Sequence, residues 1–97
     1  MIKHVVIWKI KDPAQKFAHA HAVKRALESL RGHIPGMLKL EVGVDIGFDS
    51  KSDDVVLYTE FVDRTALEGY DANPLHQDAR AIVSVLVTAR HAVDWES

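Results

Sequence analysis

Between Lys3 and Lys11 the chain sets His4, Val6, Trp8 and Ile10 on one parity and Val5, Ile7 and Lys9 on the other. Alternate residues of a strand face opposite ways. The run therefore predicts a strand over 3–11, bounded by Asp12-Pro13 and apolar on both faces. The period then changes. Phe17, Ala20, Val23, Leu27 and Leu30 recur at helical spacing, predicting a helix over 13–31 that stops at Gly32 and turns through Ile34-Pro35-Gly36. Strict alternation returns over 38–46, with Leu38, Leu40, Val42, Val44 and Ile46 on one face and Lys39, Glu41, Gly43 and Asp45 on the other. That is the signature of a half-buried strand at a sheet edge. A polar loop from Gly47 to Asp53 leads to a strand over 54–62, again apolar on both faces: Val55, Leu57, Thr59 and Phe61 against Val56, Tyr58 and Val62.

The last third is broken into pieces. Asp63 or Thr65 can cap a short helix reaching Tyr70. A second helix runs from Pro74 to about Val87, with Leu75, Ala79, Ile82, Val83 and Leu86 as its buried stripe. A final strand over 88–96 carries Ala89, His91, Val93 and Trp95 on one face. At the break, Asn73 is a good N-cap and Pro74 suits the first helical position, where no amide hydrogen is needed. His76 then falls in the first turn, near the positive end of the helix dipole, with Tyr70 across the break.

Strand, helix, strand, strand, helix, strand with right-handed crossovers predicts a ferredoxin-like α+β unit: a four-stranded antiparallel sheet with both helices on one face. In that topology the two strands that are apolar on both faces are the central ones. The helices cover one face only. The other keeps Val5, Ile7, Val56 and Tyr58, a patch that a monomer rarely leaves open. The expected remedy is a twofold homodimer that stacks sheet on sheet, with Lys9 and Glu60 near its rim.

Composition narrows the function. The 97 residues predict one domain over 1–97, 47% hydrophobic and 27% charged, an ordinary balance for a globular chain. The 12 basic and 14 acidic residues are mixed and the net charge is −2, so no basic stripe suggests nucleic acid. With no cysteine, disulfides, thiol nucleophiles and Cys-based zinc sites are excluded. His19 and His21 diverge by about 160–200° on a helix, so they cannot share a metal, and no metal site or cofactor is expected. His91 is expected to face the sheet interior, and Trp8 and Trp95 to serve as core or pocket wall. The start of the chain does not read as a signal peptide, and the apolar stretch Ala81–Val87 is too short to span a bilayer. A cytoplasmic protein without membrane contact is the simplest expectation.

Several of these segments together resemble the stress-responsive A/B barrel domain family: the opening Lys3-His4-Val5-Val6-Ile7-Trp8-Lys9, Ile34-Pro35-Gly36, Glu60-Phe61, Ala66-Leu67, Asn73-Pro74-Leu75-His76 and Asp94-Trp95. The resemblance implies a dimeric α+β barrel. One branch of that family includes a plant polyketide cyclase that makes olivetolic acid and is similar in the pocket region. By that likeness His76 is a candidate base, Tyr70 a residue that steadies a carbonyl, and His4 a further pocket histidine. The cyclase has a histidine on its third strand where this chain has Val55, and the family often has histidine before the proline where this chain has Asn73. Two functional readings follow. One is a homodimer binding a small apolar ligand in a pocket lined by His4, Val6, Trp8, Tyr70 and His76. The other is a polyketide cyclase-like or cofactor-free monooxygenase-like enzyme using His76 and Tyr70.

Overall fold

The computed structural model describes residues 1–97. Its elements are β1 (Ile2–Ile10), a 3-10 turn (Pro13–Gln15), α1 (Lys16–Glu28), β2 (Met37–Val44), β3 (Val55–Phe61), α2 (Arg64–Ala72), α3 (Pro74–Ser84) and β4 (Val87–Glu96). The strands form one antiparallel sheet in the order β2-β3-β1-β4. This is the ferredoxin-like α+β architecture, with β1 and β3 central and all helices on one side.

Pairing follows side-chain parity. On the helix side His4, Val6 and Trp8 of β1 lie opposite Thr59, Leu57 and Val55 of β3. Across β4 the same three oppose Asp94, Ala92 and Arg90. The core is a single cluster in which Val6, Leu57 and Phe61 meet Val23, Leu27 and Leu30 of the first helical segment and Val83 of α3. Burying each such side chain contributes roughly 1.5–3 kcal/mol. The far end of β1 is tied down electrostatically. The buried Asp54 carboxylate accepts the Ile10 amide at 2.7 Å and sits 3.1 Å from the Lys16 ammonium. Burial pushes its pKa up, but the Ile10 amide and Lys16 outweigh that and hold it below the usual carboxylate value.

Several expectations shift. The helix expected over 13–31 opens as a 3-10 turn, because the Asp12 carboxylate caps the Ala14 amide and Pro13 takes the first position. Phe17 is 75% exposed rather than part of the buried stripe, and it packs on the His21 ring at 4.4 Å. The register of β2 against β3 slips between Met37 and Lys39, a β-bulge that turns Leu38 outward and brings Met37 toward the core. Ile46 lies beyond the strand and is exposed. In α3, Ala79 and Val83 are buried, whereas Leu75 and Ile82 stay about half exposed along the groove beside α1. That helix ends at Ser84 rather than near Val87, because β4 begins there. His91 does not face the interior. It pairs with Ile7 on the open side of the sheet, exposed and 3.9 Å from Asp53. Trp95, paired with Lys3, lies on that same side.

Gly36 sits at φ +76°, and a Cβ there would meet the Ala66 Cβ at 2.5 Å. Gly32 has φ +82° and open space around it. Gly32→Ala should cost about 1 kcal/mol from backbone strain alone. Gly36→Ala should cost about 2–4 kcal/mol, because steric overlap with α2 is added. Urea unfolding of the two variants checks the difference, and equal losses would refute the steric account.

Candidate functional site

The site is built by the break between α2 and α3. The last carbonyls of a helix lack intrahelical partners. Here the first turn of the next helix supplies them. Asn73 ends α2 and begins α3, and its side-chain oxygen accepts the Leu75 amide at 2.9 Å. The Tyr70 carbonyl accepts the Asn73 amide at 3.1 Å and His76 Nδ1 at 2.9 Å. The Asp71 carbonyl accepts Gln77 Nε2 at 3.0 Å. A carbonyl can only accept, so His76 carries its proton on Nδ1 and keeps a lone pair on Nε2. Its ring stacks on Tyr70 with centroids 3.9 Å apart and planes 16° apart.

Tyr70 is buried, and its hydroxyl has no hydrogen-bond partner. Burial pushes the phenol pKa up to about 12, against the opposing pull of Arg80 and Arg90. The His4 ring stands edge-on to Tyr70, centroids 6.1 Å apart. His4 Nδ1 contacts the Asp94 carboxylate across the β1–β4 pair. The buried Thr59 hydroxyl donates to the His4 carbonyl at 3.3 Å.

Of these, His4, Tyr70, Asp71, His76 and Asp94 line one cavity of about 650 Å³. It opens because β4 lies at the sheet edge and is exposed along most of its length. All five pocket residues expected from the sequence, His4, Val6, Trp8, Tyr70 and His76, line it. The orienting partner of His76 is the Tyr70 backbone carbonyl rather than the hydroxyl or another imidazole. Sequence reasoning did not single out Asp71, Arg80, Arg90 and Asp94, which also line the cavity. The signal for Arg80 was available, since it stands four residues after His76 on the same helix face. Arg90 and Asp94 become legible only through the pairing of β4 with β1.

Arg80 has two roles. It pairs with Asp71 at 2.9 Å, and its charge, after burial, is what lowers the His76 pKa below 6.5. The carbonyls of Tyr70 and Asp71 oppose that shift. At neutral pH the imidazole is therefore held neutral, the state a proton acceptor needs. No group of three or more His, Cys, Asp or Glu side chains is close enough to hold a metal ion.

Residues 2–97 match the Stress Responsive A/B Barrel Domain family, and the chain belongs to it. Among solved structures, a dimeric protein of unknown function with a ferredoxin-like fold from Bacteroides fragilis is 28% identical, with a TM-score of 0.85, covering 99% of this chain and 95% of that one. A dimeric ferredoxin-like protein of unknown function from Thermobifida fusca is 23% identical, with a TM-score of 0.87 and coverage of 97% and 88%. An antibiotic biosynthesis monooxygenase is 19% identical, with a TM-score of 0.76 and coverage of 100% and 98%, and shares the fold. No curated protein matches the sequence.

A neutral His76 has a sign consequence for pH. Its folded pKa lies below the unfolded value near 6.5. The unfolded chain thus binds more protons as pH falls, and the stability contribution, present above that value, is lost on acidification. Proton NMR should show the His76 ring titrating below 6.5, and His76→Gln should flatten the stability loss on acidification. A His76 pKa above 6.5 would refute the burial-and-Arg80 account.

Proposed function

We propose that this protein is a cytoplasmic homodimer, two sheets stacked on their open faces, in which each protomer binds a small apolar molecule in the cavity between sheet and helices. The observation that carries the ligand reading is the cavity itself. Its size lies within the roughly 300–1,000 Å³ range of small-molecule sites. Its walls are apolar at Val6, Trp8, Leu27, Leu57, Val83 and Val87, and polar and charged groups, among them His4, His76, Arg80, Arg90 and Asp94, line the rest. The dimer reading rests on Val5, Ile7, Val56, Tyr58, Val93 and Trp95, which share the sheet face that no helix covers. The Bacteroides fragilis relative, similar over nearly its whole length, is described as dimeric. No helix is long and apolar enough to cross a membrane.

A second reading, an enzyme of the cyclase or cofactor-free monooxygenase type, is favoured by one observation. His76 is a neutral imidazole with a free Nε2, stacked beside an unpartnered tyrosine hydroxyl. Such a base can take a proton from carbon activated by a carbonyl, while the phenol donates to the carbonyl oxygen.

Ile7→Lys places an unpaired charge in the stacked face, where burial costs several kcal/mol. Sedimentation should give a dimer for the parent and a monomer or aggregate for the variant, and a monomeric parent at micromolar concentration sinks the dimer. The two pocket readings separate with a poly-β-ketone ester followed by NMR. Shifts at Trp8 and Val83 without conversion support binding alone. Conversion that falls about 10²–10⁴-fold in His76→Ala supports the enzyme. Absence of shifts at every lining residue removes both.

A further inference from the structure

The cavity charges pair off unevenly. Arg80 is matched by Asp71 at 2.9 Å, and Asp94 by His4. Arg90 also lines the cavity, from the position opposite Trp8, and forms no ion pair. Beside the free His76 Nε2, the Tyr70 hydroxyl is also unmatched, a buried donor in a residue only 2% exposed. Leaving a buried donor without an acceptor costs roughly 1–3 kcal/mol, so whatever fills the cavity beside Tyr70 is favoured when it offers an oxygen.

We propose that the cavity ligand is an amphipathic monocarboxylate, whose apolar body lies between Trp8 and Val83 and whose head places one oxygen on the Tyr70 hydroxyl and its charge before Arg90. The assignment rests on the reading of the cavity as a ligand site and specifies what that ligand carries. A planar carboxylate suits both partners, since guanidinium and hydroxyl can each donate to a different lone pair. Arg90 and Arg80 both pull the Tyr70 pKa down against its burial, which places their charges within electrostatic reach of the hydroxyl. A cationic ligand would face Arg80 and Arg90 without a free carboxylate, because Asp71 and Asp94 are already engaged. Arg90 is solvent-exposed, so a neutral apolar ligand would leave it hydrated and draw no affinity from it.

Calorimetric titration of the full chain with 2-naphthoate and with neutral 2-naphthamide tests this. Wild type should bind the carboxylate about tenfold more tightly than the amide, the scale of one charge-assisted hydrogen bond. Arg90→Gln should erase that gap by weakening the carboxylate, and Arg90→Lys should retain part of it. Tyr70→Phe should weaken both probes, since each presents an acceptor oxygen. Equal affinity of wild type for the two probes, or a gap that survives Arg90→Gln, overturns the carboxylate assignment and leaves the apolar pocket standing. If neither probe binds, the pocket reading fails and the carboxylate assignment falls with it.

Discussion

The central strand β1 is apolar on both sides, while the chain has helices for only one of them. On the covered side, Val6 and Trp8 are packed among Val23, Leu27, Leu57 and Val83. On the other, Val5 and Ile7 sit between Tyr58 and Val56 on β3 and Val93 and His91 on β4. A strand with this residue set cannot slip by one position without exchanging the two faces. Its register therefore sets which side chains reach the cavity. His4 faces the helices because Val5 and Ile7 face away. Asp54 closes the arrangement at the far end by binding the Ile10 amide, and Lys16 lies against it.

The second constraint is the interruption between α2 and α3. A continuous helix would spend the Tyr70 carbonyl on its own ladder. At the break it accepts the Asn73 amide instead of an amide four residues on, and His76 shares it. A structural need common to every helix end thereby orients an imidazole and selects its tautomer. Tyr70 is shielded by the same packing that stacks it on His76, so its hydroxyl loses water without gaining a partner. The uncovered stretch of β4 leaves room for the cavity, so sheet order and helix break act on one volume.

Much of the fold was legible along the chain because its patterns are long. The two-faced runs at Val5–Trp8 and Val55–Phe61 marked the central strands, and Asn73-Pro74 marked the helix break. Reading failed where one residue changes phase. The bulge at Leu38 reversed a parity that the alternation alone extended correctly only from Leu40. Phe17 fits a helical stripe by spacing, but it lies in the first turn and overhangs the core. Leu75 and Ile82 fit the stripe of α3, yet that helix packs beside α1 and buries only the narrower strip through Ala79 and Val83. His91 was misassigned because an edge strand with mixed residues on both faces does not disclose which one meets the helices.

By itself the sequence determined the element order, the central pair of strands, the uncovered sheet face and the placing of Tyr70 and His76 on either side of a helix break. Periodicity and capping are local, and they act over a few neighbouring residues. The tertiary structure alone decided that His4 meets Asp94, which stands 90 residues away, and that Arg90 enters the cavity unpaired. Those facts depend on the pairing register of the first and last strands. No local pattern carries that register; it is set by how both faces of β1 are packed.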